Sequence, residues 1–309
     1  MLHCTPYPVE EVVENNPKVS IIVPVYNVAS YLPRCMDTLV GQTLRDIEII
    51  AVNDCSPDNS LVILQEYAAR DSRIKIVNNV QNLKLAGARN EGLAVATGEY
   101  VSLIDSDDYI DLDFCEKLYE LAKREDADVA KGIRRDLPTN KIINNNEQVR
   151  ANKYNFRFSL WTAIFRRSFL QEHNIEFVVD TICFQMRVVH FANKIATRDD
   201  TFYDYCRRDD SNDSPVFSLE KWQNLNIRGA NFVLDFINSV DIEKSDYLLL
   251  ASDLILPLYF YGYEKLSMAD KKMGTRILHK VLNAFWWRAK YKLNLLLPYL
   301  KTKRRLRNG

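Results

Sequence analysis

Four consecutive residues in the first half of the chain are the first candidates for a ligand-binding or metal-binding site. The run Asp105-Ser106-Asp107-Asp108 holds three carboxylates and directly follows an apolar segment, GEYVSLI. Carboxylates at positions i and i+2 of an extended backbone point to the same side, so Asp105 and Asp107 can converge on one hard cation that also binds a diphosphate. Without a cation these neighbours would repel one another. The competing interpretation is an acidic turn that caps a helix beginning near Leu112.

Two further side chains have the chemistry needed to hold a nucleotide base. Asp54, in the segment VNDCS, can accept a hydrogen bond from the imide or amino edge of a base. Tyr26, in PVYNVAS, offers a flat face on which the base can stack. Each residue is also an ordinary turn or core residue when taken alone.

The phosphates of such a ligand must be bound without a glycine-rich loop. The sequence contains neither G-x-G-x-x-G nor G-x-x-x-x-G-K-[ST]. We therefore expect a metal ion and basic side chains to balance the phosphate charge, with Arg89 and Arg207 as the candidates. For Arg89, a position on a solvated helix face is an equally good interpretation.

Short β-branched runs alternate with amphipathic segments along the chain. The strands and helices that they predict would position the candidate residues named above. Strands are predicted at 19–25, 47–52, 74–77 and 98–104. This alternation is typical of a parallel sheet wound by helices, whose ligands bind beyond the carboxyl ends of the strands. Tyr26, Asp54 and the D-S-D-D run all lie at such ends. Ser56 is predicted to cap the second helix.

The pattern is less regular in the second half of the chain. A helix over 112–124 and a short strand at Val129 are followed by a polar stretch, 136–148, that we interpret as a surface loop. Residues 219–300 have the pattern of helices. The boundary between the two halves is placed near residue 131.

Composition narrows the class of protein. The chain has 309 residues, 47% apolar and 27% charged, as expected for a folded globular protein. Its six cysteines stand singly without zinc spacing, so we expect reduced thiols in a cytoplasm. The first residues lack the pattern of a secretory signal, and no apolar window reaches the ~20 residues that span a bilayer.

Charge is distributed unevenly along the chain. Residues 271–309 contain twelve Lys or Arg and no Asp or Glu, which leaves a formal charge of −12 on residues 1–270. The basic tail also has an apolar stripe, so we expect it to contact an anionic membrane surface. The alternative is a solvated helix that closes the core. The acidic body argues against a nucleic-acid partner.

Four motifs occur together in the first half: P-x-Y-N, V-N-D-x-S, A-R-N-x-G and D-S-D-D. Their order and spacing closely resemble the amino-terminal half of family 2 inverting glycosyltransferases, such as those of bacterial lipooligosaccharide and capsule assembly. The resemblance is strong over 18–131 and weaker over 156–214. It implies the A-type glycosyltransferase fold, a Rossmann-like, wound, mostly parallel α/β sheet, here followed by a helical C-terminal extension.

The resemblance also implies roles for the motif residues. The base pocket would be lined by Pro24, Tyr26 and Asp54, while Asp105 would contact the ribose and the metal ion, and Asp107 would be the direct metal ligand. The neighbouring motif residues are included in the predicted nucleotide-sugar site: Asn27, Arg89, Ser106 and Arg207. The implied cofactor is Mn²⁺ or Mg²⁺, and the implied donor is a UDP-sugar.

The second half matches the family pattern in part. Where the family has E-D-x-x-F, with the Asp as catalytic base, this chain has Val179 and Asp180. The family's W-N-K is replaced by Trp161, Thr162 and Ala163. The later Y-x-Y-x-R…S pattern is kept, at Tyr203, Tyr205, Arg207 and Ser211.

These features predict an inverting transfer of a hexose or N-acetylhexosamine to a hydroxyl of a lipid-linked surface glycan. The expected location is the inner face of the plasma membrane. The predicted organisation is an N-terminal extension (1–17), a glycosyltransferase domain (18–214, divided into 18–131 and 132–214) and a helical region (215–309). A non-catalytic nucleotide-sugar-binding or scaffolding subunit is the alternative, because the altered positions lie in the acceptor half. A sugar-1-phosphate nucleotidyltransferase would need a glycine-rich loop after the first strand.

The basic tail is predicted to hold the protein on anionic membranes. A variant ending at Asp270 should stay in the supernatant when centrifuged with anionic liposomes, whereas the full chain should sediment, because each Lys or Arg near such a surface contributes about 1 kcal/mol. Neutral liposomes are the control. Equal sedimentation of both proteins with anionic liposomes would contradict the prediction.

Overall fold

One sheet runs through the residues that the structure, a computed structural model, describes: 17–151, 153, 160–178 and 181–206. Its strands are β1 (Val19–Val25), β2 (Ile47–Asn53), β3 (Ile74–Asn78), β4 (Tyr100–Leu103), β5 (Tyr109–Ile110), β6 (Val129–Leu137), β7 (Lys141–Ile143), β8 (Ala163–Arg166) and β9 (Ile195–Cys206). The strand order is β3-β2-β1-β4-β8-β6-β9-β5, and β7 pairs with β6. The predicted C-terminal helices and the basic tail lie outside the described residues.

Helices connect the strands. They are α1 (Leu32–Val40), α2 (Ser60–Ala68), α3 (Lys84–Val95), α4 (Phe114–Glu125), α5 (Asn146–Ala151), α6 (Arg167–Glu172) and α7 (Thr181–Phe191). A short 3₁₀ turn, Leu160–Thr162, precedes β8. The four strands and the helices predicted for residues 18–131 are all present, with ends that differ by a few residues.

The apolar stripe of α1 anchors it to the sheet. Leu32, Cys35, Met36 and Leu39 recur at helical spacing and are fully buried in the cluster that also contains β1 and β2 side chains. Burial of each large apolar side chain stabilises the fold by about 1.5–3 kcal/mol. This packing fixes α1 beside the loop that follows β1.

The first four strands are parallel, and their carboxyl ends therefore meet at one edge. β1 pairs with both β2 and β4, in registers that set Val25 opposite Asn53 and Ile22 opposite Leu103. The residues that follow these strands, predicted to bind a ligand, consequently share that edge of the sheet.

The second half of the sheet is mixed. β8 is antiparallel to both β4 and β6, and β9 is parallel to β6 but antiparallel to β5. The predicted α/β class with a mostly parallel sheet is confirmed, because β1 to β4 and the long β6–β9 ladder are parallel, and the antiparallel pairs are shorter. The β6–β9 ladder shifts register between Lys131 and Ile133. Gly132 lies at this shift because a Cβ atom would collide with the carbonyl of Thr201.

Two local expectations were wrong. The polar stretch 136–148 is not one loop, since β6 continues to Leu137, β7 pairs back onto it and α5 begins at Asn146. Ser56 does not cap α2, which begins at Ser60. Its hydroxyl instead donates to the carbonyl of Val25 at 3.2 Å, so it ties the end of β1 to the loop after β2.

A buried carboxylate joins the opposite, amino-terminal ends of the parallel strands. Glu48 of β2 accepts hydrogen bonds from Ser20 Oγ at 2.5 Å and from the Thr97 and Gly98 amides at 2.7 and 3.2 Å. Lys75 Nζ lies 2.6 Å from its other oxygen. Burial raises the pKa of Glu48, but the donors of Lys75, Ser20 and Thr97 outweigh burial and lower it from 4.5 to about 2.

Replacement of Glu48 by Gln should destabilise the protein at pH 7 by about 1.5–3 kcal/mol, because it removes a buried charged acceptor of several hydrogen bonds. The stabilisation is fully present above the unfolded pKa of 4.5 and is lost as the pH falls toward the folded value of about 2. Urea denaturation at several pH values measures it. The exposed Glu66→Gln, a matched change, should cost less than about 0.5 kcal/mol. Equal stabilities of the two variants at pH 7 would contradict the assignment.

Candidate active site at the carboxyl ends of the parallel strands

The D-S-D-D run forms a turn and not the extended backbone that was expected. The amide of Asp108 donates to the carbonyl of Asp105 at 3.0 Å, which closes the turn directly after β4. The Cys35 thiol of α1 contacts the same carbonyl at 3.7 Å. The turn, and not the alternation of an extended strand, therefore sets the directions of the carboxylates.

The carboxylate of Asp105 is paired with a buried arginine. Arg89 Nη2 lies 2.7 Å from Asp105 Oδ1, and the side chains are 2% and 24% exposed, respectively. Arg89 Nη1 also donates to Thr181 Oγ1 at 3.2 Å, and the guanidinium lies 5.1 Å from the ring centroid of Phe177. The interpretation of Arg89 as a solvated helix residue was wrong. Its predicted contact with a phosphate remains a prediction.

Asp108 is the most buried carboxylate of the turn, with 1% exposure. Tyr203 Oη donates to Asp108 Oδ2 at 2.6 Å, and the Cys206 amide donates to Oδ1 at 2.6 Å. Burial and the charges of Asp107 and Asp105 raise the pKa of Asp108 to about 8, against the opposing effect of these two hydrogen bonds. Both oxygens of this carboxylate are thus engaged by β9.

The interpretation of the run as a helix cap was wrong for Asp105 and Asp108. α4 begins at Phe114, and no side chain caps its amino terminus. The contacts of the two carboxylates are with Arg89, Tyr203 and Cys206 instead.

The other two residues of the turn differ in exposure. Ser106 is buried, with 5% exposure, and Asp107 is partly exposed. Within 17–151, 153, 160–178 and 181–206, no three His, Cys, Asp or Glu side chains group in a way that could hold a metal ion. The predicted metal-binding roles of Asp105 and Asp107 remain predictions.

The predicted base pocket lies at the ends of β1 and β2. Pro24 is buried within β1, opposite Val52, and Tyr26 is 49% exposed directly after the strand. Asn27 adopts a left-handed backbone, with a φ of 55°, and its amide donates to Ser56 Oγ at 3.4 Å. Asn tolerates this conformation better than most residues.

Asp54 is buried and is held by the loop after β3. Its Oδ1 accepts hydrogen bonds from Asn79 Nδ2 at 3.0 Å and from the Leu83 amide at 2.8 Å. Its own amide donates to the carbonyl of Val25. The structure thus places Tyr26, Asn27 and Asp54 on neighbouring strands at the edge where the D-S-D-D turn lies.

The predicted residues of the second half are only partly covered. Asp180 and Arg207 lie outside the described residues. Thr162 and Ala163, which replace two positions of the family pattern, are buried, Thr162 at the end of the 3₁₀ turn and Ala163 at the start of β8. Trp161 is partly buried, with its ring centroid 6.1 Å from that of Tyr203.

Sequence reasoning missed three residues that support this site. Asn79 contacts Asp54, and Asn90 both donates to and accepts from the main chain of Phe177, at 2.8 and 2.9 Å. Tyr203 was noted only as part of a pattern, although its hydroxyl contacts the D-S-D-D turn. No local signal identifies these contacts, because each joins segments that are distant in the sequence.

The match to a known family agrees with this arrangement. Residues 20–191 match the family Glycosyl transferase family 2. The chain belongs to this family, and the resemblance inferred from its motifs is confirmed.

Similar glycosyltransferases occur in bacteria. The chain is 36% identical, over 180 residues, to the uncharacterized glycosyltransferase EpsJ of Bacillus subtilis, a match that covers 53% of this chain and 52% of EpsJ. It is 34% identical, over 202 residues, to a poly(ribitol-phosphate) beta-glucosyltransferase of Bacillus spizizenii, covering 61% of this chain and 32% of that protein. The chain thus matches about half of EpsJ and a third of the glucosyltransferase.

A solved structure shares the fold. The family 2 chain is similar to S. aureus TarS 1-349 in complex with UDP-GlcNAc, with a TM-score of 0.65 and 23% identity. The match covers 86% of this chain and 81% of TarS 1-349. The A-type glycosyltransferase fold implied by the motifs is confirmed. Among the helices of the described ranges, none is long and apolar enough to cross a membrane.

Proposed function

We propose that this family 2 protein transfers a hexose or N-acetylhexosamine from a UDP-sugar to a hydroxyl of a growing surface glycan, with inversion at the anomeric carbon. The proposal rests chiefly on one observation. The carboxyl ends of β1, β2 and β4 bring an exposed aromatic ring, Tyr26, a buried carboxylate, Asp54, and the D-S-D-D turn to one edge of the sheet.

The nucleotide base would be bound between Tyr26 and Asp54. Among the described residues, the donors to Asp54, namely Asn79 Nδ2 and the Leu83 amide, both contact Oδ1, so we propose that Oδ2 accepts from the imide of a uracil. Tyr26 is half exposed and can stack on the ring. The complex of TarS with UDP-GlcNAc supports a uridine diphosphate sugar as the donor.

We propose that a divalent ion, Mn²⁺ or Mg²⁺, would be held by carboxylate oxygens of the turn together with the phosphates of the donor. Such ions are often held by one or two carboxylates together with the phosphates of the substrate. We propose Asp107 as the principal ligand, with Asp105 beside it, because the D-x-D pattern of the family implies these roles and Asp107 is partly exposed. When bound, the ion would stabilise the negative charge of the departing diphosphate.

A carboxylate of the protein would accept the proton of the acceptor hydroxyl. We propose that Asp180 accepts the proton of the attacking hydroxyl, and that Arg207 contributes positive charge on the phosphate side. Ser106 and Asn27 would contact the nucleotide sugar through the two loops that carry them. The acceptor oxygen would form a bond to the anomeric carbon on the face opposite the diphosphate while the bond from that carbon to the diphosphate oxygen breaks, so UDP leaves and the configuration inverts.

The acceptor and the location complete the proposal. The glucosyltransferase of Bacillus spizizenii acts, by its name, on poly(ribitol-phosphate), which supports a surface glycan as the acceptor. We propose a lipid-linked glycan at the inner face of the plasma membrane, where the basic tail would contact anionic lipids.

A non-catalytic nucleotide-sugar-binding subunit is the second candidate. The positions that depart from the family pattern include Thr162 and Ala163, and the structure buries both of them. A protein of this kind would bind UDP and the metal ion but would not transfer sugar. Acceptor-dependent release of UDP therefore separates the two candidates.

Replacement of Asp107 by Ala should abolish the part of UDP binding that depends on Mn²⁺, because it removes the proposed metal ligand. Calorimetric titration of UDP with and without Mn²⁺ measures this part. Asp113→Ala, which removes a surface carboxylate paired with Lys117, should bind as the unmodified chain does. Retention of the full Mn²⁺ effect in Asp107→Ala would refute its role.

Replacement of Asp180 by Asn should reduce turnover by about 10² to 10⁴-fold, the usual contribution of a positioned base, and leave UDP binding intact. The measurement is acceptor-dependent UDP release from a panel of UDP-sugars. Asp200→Asn, an exposed carboxylate, is the matched control. Undiminished turnover would exclude Asp180 as the base, and release of no UDP by the unmodified chain would favour the non-catalytic candidate.

A further inference from the structure

The hydroxyl of Tyr203 joins two parts of the D-S-D-D turn. It donates to Asp108 Oδ2 at 2.6 Å and accepts from the Asp105 amide at 3.3 Å. A phenolic hydroxyl has one hydrogen to donate and lone pairs to accept, so both contacts can exist at once. This fully buried group thus bridges the first and the last residue of the turn.

We infer that Tyr203 and Asp108 are a positioning pair, which orients the carboxylates of Asp105 and Asp107 toward the place proposed for the divalent ion that would bind the diphosphate of the donor. The inference rests on the proposed function, since it concerns the same turn. It assigns to Asp108 no contact with the ligand, although Asp108 belongs to the acidic run.

The contacts of Asp108 support a positioning role over a binding role. Its side chain is buried, and each of its oxygens already accepts a hydrogen bond from β9. Its amide also closes the turn by donating to the carbonyl of Asp105. A ligand would have to displace these donors to reach the carboxylate.

The main chain of Asp105 is held from three directions. Its amide contacts Tyr203 of β9, and its carbonyl contacts both the Asp108 amide within the turn and the Cys35 thiol of α1. Its side chain is paired with Arg89 of α3. Loss of the Tyr203 hydroxyl would remove one of these restraints and leave two polar groups of the turn without their partner.

The sheet in turn fixes Tyr203. β5 begins one residue after Asp108, and the register of β5 and β9 sets Tyr203 opposite Ile110 and Asp204 opposite Tyr109. The ring of Trp161 packs beside that of Tyr203. The position of the turn therefore depends on that of β9, through the contacts of Tyr203 and Asp108. This dependence matters because a displacement of about 1 Å at a reacting centre can reduce the rate by about 10²-fold.

Tyr203→Phe tests the inference because it removes only the bridging hydroxyl. We expect its Kd for UDP in the presence of Mn²⁺ to rise at least about tenfold, with unchanged binding stoichiometry, because the folded protein would hold the turn less well. The Kd without Mn²⁺ should change less, since the effect acts through Asp105 and Asp107. Calorimetry on the full chain gives the Kd and the stoichiometry together.

Tyr100→Phe is the matched control. Tyr100 is also fully buried, and its hydroxyl donates to the carbonyl of Ala127 at 3.0 Å, away from the D-S-D-D turn. It should bind UDP and Mn²⁺ as the unmodified chain does. Asp108→Asn is the second test, because its amide nitrogen cannot accept from the β9 donors, and it should raise the same Kd.

The results distinguish the inference from the proposed function. If the unmodified chain binds no UDP with Mn²⁺, both are overturned. If it binds, and Tyr203→Phe and Asp108→Asn bind equally well, the inference alone is overturned. It is also overturned if both variants only lower the melting temperature and the stoichiometry at an unchanged Kd, because that result indicates a purely structural role.

Discussion

Mutual repulsion among the three carboxylates of the D-S-D-D turn is the constraint on which the site depends. In the space of four residues, the protein must accommodate Asp105, Asp107 and Asp108 at the edge of a largely apolar sheet. The surroundings of the three side chains differ. Arg89 pairs with Asp105, and two donors of β9 bind Asp108. Asp107 is partly exposed.

These partners come from both halves of the sheet. Arg89 lies on α3, which packs on the parallel strands, whereas Tyr203 and Cys206 lie on β9, which is paired with β6 and β5. Residues 18–131 alone would therefore lack the donors of Asp108. The second half of the sheet supports the site as well as completing the fold.

The two edges of the parallel sheet use buried carboxylates differently. At the amino-terminal edge, Glu48 receives a dense set of donors, and its lowered pKa indicates that these contacts stabilise its charged form. At the carboxyl-terminal edge, burial and neighbouring charges raise the pKa of Asp108. The amino-terminal edge thus stabilises the charged form of its carboxylate, whereas the carboxyl-terminal edge, where a cation and a diphosphate are proposed to bind, disfavours the charged form of Asp108.

The sequence by itself determined the family, the parallel first half of the sheet and the edge at which the candidate residues meet. These features follow from local periodicity and from motifs within short segments, such as the stripe on α1 and the D-S-D-D run. Only the tertiary structure decided that the run is a turn, that Arg89 is buried against Asp105, and that Tyr203 lies beside a residue 98 positions earlier. The physical reason is that these outcomes depend on strand order and burial, which join segments that no local pattern relates.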